Sequence, residues 1–204
     1  MEKPHIDTTA VEVPADLASP ALYRVDAAHH PRVDRAEMLR YLGYGGQQIE
    51  PELSRRIELV VERLELDIEP RGVRRVFAVD ALEGAVLDAA CSAYVEAAVE
   101  QMDQQVKTDA ATHGLTGNWR FSPGYGDCPL SAQRSIVNAL NATRLIGLTV
   151  TPTSLLMPTK SVTAVIGLFD GEVHDARSRP TCNICRMRKH CRFRAAHTTC
   201  YSRH

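Results

Sequence analysis

The sequence lacks any long apolar run. Its longest runs, such as the one from Val165 to Phe169, fall far short of the roughly 20 residues that a membrane-spanning helix requires. A hydrophobic signal is also lacking, because the opening segment is polar and contains prolines. We therefore expect a soluble, cytoplasmic protein with no membrane partner.

The sequence has no internal repeat and no compositional bias. Hydrophobic residues make up 44% of the 204 residues and charged residues 24%, which is ordinary globular usage. This composition excludes a disordered chain and a fibrous one. The length fits one domain of ordinary size with a small appendage.

Charge and cysteine are unevenly distributed. Residues 173–204 carry eight Lys or Arg and one acid, whereas the rest of the chain carries 16 bases and 24 acids. Four of the six cysteines also fall within nineteen residues near the C-terminus. We expect three regions: a flexible arm (1–30), an acidic body (31–173) and a basic, Cys-rich tail (174–204).

Three helices are predicted in the first half of the body. Asp34 and Glu37 form a capping-box pattern before a short helix that ends at Gly43. Apolar residues at steps of three and four from 49 to 68 predict an amphipathic helix. A longer periodic segment, from 82 to about 107, is rich in alanine and predicts a central helix that neighbours approach closely.

Strands and helices alternate in the remainder of the body. Residues 73–79, 148–151 and 162–169 have strand composition, and 113–127 reads as a Gly-rich loop. Pro129 suits the first turn of a further helix. We therefore predict an α+β fold in which helices cover a mixed sheet.

The loop Arg120–Pro129, R-F-S-P-G-Y-G-D-C-P, is the most distinctive segment. Arg120 offers a cation that can hold a carboxylate, Gly124 lets backbone approach a ligand, and Tyr125 can stack on a flat ring. These groups suit a small zwitterion with an aromatic part. From their spacing alone, they are more typical of an ordinary surface loop whose arginine makes a salt bridge.

Several motifs occur here in the order found in one family. They are this loop, the L-T-V-T-P-T-S-L-L-M-P segment (148–158), K-S-V-T (160–163) and D-R-A-E-M-L-R-Y-L-G-Y-G-G (34–46). Together they resemble the activation domain of cobalamin-dependent methionine synthase, and especially the stand-alone proteins similar to that domain. The resemblance covers most of residues 33–194.

The resemblance implies a site for S-adenosylmethionine. Arg120 would hold the methionyl carboxylate, Ser122 and the backbone at Gly124 would contact the rest of the ligand, and Tyr125 would line the site. The family's acid on the preceding helix corresponds to Glu96, with Glu100 as a weaker substitute one turn later; by itself, Glu96 also suits a solvated helix position. None of these residues would be catalytic.

The implied role is that of an accessory component of a methyltransferase. An electron donor such as flavodoxin or ferredoxin reduces cob(II)alamin on a methionine synthase or related corrinoid protein. Methyl transfer from S-adenosylmethionine then traps the product as methylcobalamin. The cobalt of the partner is the nucleophile, so this chain would position the methyl donor.

Two features differ from the family pattern. Val165 and Ile166 stand where a second ligand-contacting tyrosine is expected. Several dozen residues found in stand-alone relatives after the strand at 73–79 are also absent, which predicts a reduced sheet.

The tail predicts a metal or cluster site. Its four cysteines can wrap one tetrahedral ion, either structural zinc or an iron–sulfur cluster. Relatives that end in a similar arrangement favour Cys182, Cys185 and Cys191 as the essential ligands, with Cys200, His190 or His197 as the fourth. The predicted ligands are Cys182, Cys185, Cys191 and Cys200.

The Cys-rich tail is also compatible with other roles. It could be a reduced basic tail without metal, or it could make the chain an iron–sulfur or zinc-bearing electron-transfer or structural subunit for a corrinoid protein, without methyl-donor binding. A nucleic-acid-binding zinc module ranks last, because only Phe193 and Tyr201 offer rings for base stacking.

Overall fold

The computed structural model describes residues 30–44, 46–69, 72–73, 78–125, 128–171 and 188–195. The predicted arm (1–30), apart from its last residue, lies outside these ranges, as does most of the tail. Helices dominate the described residues. They are α1 (Arg35–Tyr41), α2 (Pro51–Asp67), α3 (Ala81–Thr112), α4 (Ala132–Ala139), α5 (Ala142–Ile146) and α6 (Arg192–Ala195).

The strands are short and pair in antiparallel ribbons. The pairs are β1 (Ile68–Glu69) with β2 (Gly72–Val73), β3 (Leu115–Gly117) with β6 (Leu168–Asp170), and β4 (Thr149–Val150) with β5 (Leu156–Met157). The α+β prediction is therefore confirmed in its coarse form. In the ranges that the structure describes, the strands form three separate two-stranded sheets instead of one mixed sheet, since two or three residues leave little edge for further pairing.

The main core lies where α1 and α2 pack against α3. Asp34 caps α1 as predicted, since its side chain accepts the N–H of Glu37. Small side chains on α3 let the other helices approach closely. The buried set is Val33, Met38, Ile57, Val60, Val61, Leu64, Val86, Leu87, Ala89, Ala90 and Ala93.

Ion pairs join the same three helices at the edge of this core. Arg35 on α1 lies 2.7 Å from Glu65 and 3.1 Å from Glu58 on α2. The hydrogen bond to Glu65 is the main reason that the pKa of Arg35 rises, and the same bond lowers the pKa of Glu65. Between these two glutamates in the sequence of α2, Arg63 lies 3.0 Å from Glu83 on α3.

A second, smaller core holds the segment from α4 to β5. Its buried members are Val137, Ala142, Leu148 and Leu156. A buried hydrogen bond from Thr163 to Gln133, 2.9 Å long, ties the segment after β5 to α4. This bond uses a side chain from the stretch 162–169 that was predicted to be a strand.

The helix predictions agree closely with the structure, and the strand predictions agree less well. Helix α2 falls within the predicted range, whereas α3 continues five residues beyond the predicted end. Strand structure in 162–169 is limited to its last two residues and a bridge at Val165, because Thr163 turns toward Gln133. The predicted loop 113–127 contains β3, whose partner β6 lies about fifty residues later.

The predicted strand at 73–79 is only partly described. Val73 lies in β2, residues 74–77 lie outside the described ranges, and Ala78 and Val79 are not in a strand. Val79 instead leads into α3, donating its N–H to Glu83 at 3.1 Å. Among the helices described, none combines the length and the apolar character needed to cross a membrane.

Candidate functional site

The backbone on both sides of Arg120 is held in an antiparallel ribbon. Beyond β3, Asn118 donates its N–H to Gly167 at 2.9 Å. Phe121 and Val165 then exchange two backbone hydrogen bonds, of 2.9 and 2.8 Å. Because these bonds bracket Arg120, the start of its side chain has a fixed position and direction.

Helix α3 presents four charged side chains toward this ribbon. Glu96, Glu100, Asp103 and Lys107 follow one another at steps of four, three and four residues, which places them on one face of a helix. Because this spacing is close to one helical turn, three carboxylates and one ammonium group lie on the same surface of α3.

Arg120 contacts all three carboxylates of that face. Its Nη1 donates to Oε2 of Glu100 at 2.7 Å and lies 3.9 Å from Oδ2 of Asp103, while Nη2 lies 3.6 Å from Oε2 of Glu96. The structure thus brings together Arg120 and Glu96, two predicted site residues, but the closest acid is Glu100. These ion pairs also match the surface-loop alternative, in which Arg120 makes a salt bridge.

The members of this cluster differ strongly in exposure. The Arg120 side chain is 15% exposed and that of Asp103 is 4% exposed, whereas Glu96 and Glu100 are 47% and 44% exposed. Burial acts to raise the pKa of Glu100, but the hydrogen bond and charge of Arg120 outweigh it and hold that pKa below its usual range. The two glutamates can therefore move into solvent, whereas Asp103 is fixed.

Trp119 forms an aromatic wall beside the two cations. Lys107 Nζ and Arg120 Cζ each lie 5.6 Å from the centre of its ring, a distance at which cation–π attraction acts. Lys107 also lies 2.6 Å from Oδ2 of Asp103. Three carboxylates thus face two cations, so the cluster has a formal charge of −1, which favours the approach of another positive group.

The predicted Ser122, Gly124 and Tyr125 form a tight turn directly after this cluster. Tyr125 donates its N–H to the carbonyl of Ser122 at 3.2 Å, and Gly124 donates to the carbonyl of Cys128 at 2.9 Å. The φ of Gly124 is +95°, a conformation that favours glycine. Tyr125 is 61% exposed, so much of its ring is accessible to a ligand.

The residues Asp103, Lys107 and Trp119 were missed by the sequence analysis. The helical spacing from Glu96 was a usable signal for the first two, because it places them on the face that carries Glu96. Trp119 is the single tryptophan and directly precedes Arg120. Only the fold shows that all three meet the guanidinium.

The position of the expected second tyrosine lies close to the cluster. Val165 pairs with Phe121, the neighbour of Arg120, and is 52% exposed. Its aliphatic side chain supplies no hydroxyl at this place. A ligand that reaches Val165 would therefore meet an apolar surface there.

Only one of the four predicted cysteine ligands lies in the described residues. Cys182, Cys185 and Cys200 fall outside them, as does His197, whereas Cys191 is half-buried and its carbonyl accepts the N–H of Ala195 in α6. In the described part of the chain, no three His, Cys, Asp or Glu side chains are grouped to hold a metal ion.

Phe193 of helix α6, in the tail, contacts Arg40 of α1 in the body. The guanidinium of Arg40 lies 5.0 Å from the ring centre of Phe193 and 4.9 Å from that of Tyr41. Burial is the main reason that the pKa of Tyr41 rises, and the nearby charges of Glu37 and Glu96 raise it further. The tail helix is therefore linked to the acidic face of α3 through α1.

Comparison with known proteins adds no family assignment. No protein-family model matches the chain, and no curated protein has significant similarity to it. The resemblance to the methionine synthase activation domain therefore remains a prediction.

Proposed function

We propose that this chain is an accessory module that binds S-adenosylmethionine and supports the reductive reactivation of cob(II)alamin on a corrinoid methyltransferase, with methionine synthase as the expected partner. The order of sequence motifs supports the proposal. In this proposal the body has an activation-domain-like fold with a reduced sheet, and the protein acts in the cytoplasm.

The observation that carries the proposal is the contact of Arg120 with Glu96 and Glu100. S-adenosylmethionine has a carboxylate, an ammonium group and a sulfonium group, so it needs one fixed cation and an excess of negative charge nearby. Arg120 can provide the first and the carboxylates of α3 the second. The residues present therefore fit the chemical groups of this ligand.

The adjoining turn can complete the site. Gly124 has no Cβ, so a ligand can approach the turn closely there, and the hydroxyl of Ser122 can contact it from two residues earlier. The exposed ring of Tyr125 offers a face on which an adenine can stack. The chain would bind and orient the methyl donor, and the chemistry would take place on the partner's cobalamin.

Calorimetry with S-adenosylmethionine tests the binding step. We expect saturable binding by the wild type and its loss in Arg120→Ala, because the ligand's carboxylate then has no cation. Arg120→Lys keeps the charge but not the planar fork, so it should retain only weak binding. The control is Arg55→Ala, since Arg55 is exposed and pairs with Glu52 in the first turns of α2.

A neutral ligand provides a second control. S-adenosylhomocysteine lacks the sulfonium charge, so a site with excess carboxylate should bind it more weakly. If the wild type binds neither compound at millimolar concentration, the proposed methyl-donor role is wrong. If it binds the two compounds equally well, the carboxylates of α3 do not distinguish the sulfonium charge.

The cysteine tail supports a second component of the proposal. Cys191 precedes α6, whose Phe193 contacts Arg40 on α1. A zinc ion at Cys182, Cys185, Cys191 and Cys200 would order the tail, whereas an iron–sulfur cluster would allow it to pass electrons toward the corrinoid.

Metal and sulfide analysis of anaerobically purified protein separates these alternatives. Iron with equimolar sulfide supports the electron-transfer role, and zinc without sulfide supports the structural one. Cys191→Ser should reduce the bound metal in either case, whereas Cys91→Ser, a change on α3, should not. A metal content below one ion per several chains would exclude both.

A further inference from the structure

One oxygen of Asp103 is buried without a hydrogen-bond partner. The residue is 4% exposed, and its Oδ1 has no donor within hydrogen-bonding distance in the described part of the chain. Its other oxygen, Oδ2, accepts from Lys107 at 2.6 Å. Because an unsatisfied buried carboxylate oxygen is costly, a state in which it gains a donor has an advantage.

A further donor close to Asp103 is the guanidinium of Arg120. Nη1 of Arg120 lies 3.9 Å from Oδ2 of Asp103, but it bonds to Glu100 at 2.7 Å instead. The same nitrogen therefore lies between an exposed carboxylate and a buried one. A shift of the guanidinium toward Asp103, with a turn of that carboxylate to present Oδ1 to Nη1, would give Oδ1 the donor it lacks and release Glu100.

We propose that Asp103 is a positioning residue for the S-adenosylmethionine site: its carboxylate accepts the hydrogen bond of Arg120 when the ligand's cationic groups attract Glu100 away from that arginine. This inference rests on the proposed function. Arg120 then stays in place for the ligand's carboxylate, and Glu100 turns to the ammonium or sulfonium group. A carboxylate that lacks a linked cation offers Glu100 no new partner, so the exchange favours zwitterionic ligands.

The exposures of the three carboxylates support this division of roles. Glu96 and Glu100, each nearly half exposed, can leave Arg120 for a ligand at little cost in desolvation. Asp103 cannot follow a ligand because it is enclosed. Its two oxygens can nevertheless serve Lys107 and Arg120 at once, so accepting Arg120 does not require loss of the contact with Lys107.

Side-chain NMR of Arg120 tests the exchange without any ligand. Guanidinium signals stay sharp while the group is held by a charged acceptor. In Glu96→Ala/Glu100→Ala, both exposed glutamates are removed, and we expect the Arg120 signals to remain because Asp103 takes over. Adding Asp103→Asn should abolish them. Loss of the signals already in the double variant would overturn the proposal.

Titration with S-adenosylmethionine supplies the second arm. Asp103→Asn should weaken binding by about tenfold or more, the scale of one charge-assisted hydrogen bond. Asp88→Asn makes the same change on α3 at a side chain that is 73% exposed and outside the cluster, and it should change affinity by no more than about threefold. Equal losses in the two variants would show a merely structural role and overturn the proposal.

The two arms separate this inference from the proposed function. If the wild type fails to bind S-adenosylmethionine, the proposed function is wrong, yet the ligand-free NMR result still decides whether Asp103 can take over Arg120. If the wild type binds and Asp103→Asn binds equally well, the function stands and the positioning role is wrong. Circular dichroism of each variant verifies that it is folded.

Discussion

Arg120 and Glu100, twenty residues apart in the chain, form a hydrogen-bonded ion pair with Nη1 and Oε2 separated by 2.7 Å. The pair connects the loop after β3 to the middle of α3. Burial acts to raise the pKa of Glu100, but Arg120 lowers it further than burial raises it. The ion pair therefore links the stability of this part of the fold to pH.

The first prediction concerns that link. The pKa of Glu100 is lower in the folded state than in the unfolded state. The ionised carboxylate therefore adds fully to the unfolding free energy above the ordinary carboxyl pKa, and this stabilisation is lost as the pH falls through the folded-state value. Wild type should exceed Glu100→Gln in unfolding free energy at neutral pH by no more than about 1 kcal/mol, since the pair is partly exposed. Below about pH 4 this difference should shrink.

Urea denaturation at several pH values measures the difference. An Arg120→Gln background provides the control, because Glu100→Gln should there produce no comparable pH-dependent gap. A gap between wild type and Glu100→Gln that is equally large at acidic and neutral pH would contradict the assignment of the pair.

The helices were predictable because their signals extend over many residues. Periodic apolar residues mark α2 along its whole length, and the Asp34–Glu37 pattern marks the start of α1. The strands were harder to predict, because a three-residue segment such as β3 depends on a partner about fifty residues away. Its extended conformation comes from tertiary pairing, which local sequence does not encode.

The site was predictable to a similar extent. Loop chemistry singled out Arg120, and the family resemblance added Glu96 on α3. The choice of Glu100 as the closest acid depends on how far α3 has turned where it meets the ribbon, which no local motif specifies. Asp103 was missed because its importance lies in its burial beside Arg120, and burial follows from packing.

The second prediction concerns the core between α2 and its neighbours. Leu64 is fully buried, whereas Leu66, two residues later on the same helix, is 86% exposed. Leu64→Ala should lower the unfolding free energy by about 2 to 5 kcal/mol through lost burial and a residual cavity. Leu66→Ala is the matched control and should change it by about 0.5 kcal/mol or less.

Denaturant titration of both variants, with equal slopes, checks this prediction. A small effect of Leu64→Ala would mean that α2 does not pack through this face. A large effect of Leu66→Ala would mean that another surface covers Leu66.

The third prediction concerns the small side chains of α3. Ala90 has no exposed surface, because α3 packs tightly against its neighbours at this point. Ala90→Leu should therefore destabilise the fold by about 1 to 3 kcal/mol through overpacking. Ala85→Leu provides the control on the exposed side of the same helix, where leucine costs little because its helix propensity is close to that of alanine. Thermal unfolding of the two variants distinguishes a closely packed face from an open one.

The last prediction concerns Tyr41 on α1. Burial, followed by the charges of Glu37 and Glu96, raises its pKa to about 12. The folded-state value lies above the ordinary phenol value, so the contribution of the neutral phenol is complete below about pH 10 and is lost as the pH rises through the folded-state value. Difference absorbance between wild type and Tyr41→Phe isolates this ionisation, which should occur at higher pH than that of an exposed tyrosine.

Glu96→Gln should shift the ionisation of Tyr41 to lower pH by removing one repelling charge, whereas Glu62→Gln on α2 should leave it unchanged. If Glu96→Gln has no effect, α1 does not adjoin the acidic face of α3, and the link between the tail helix and the candidate site fails with it.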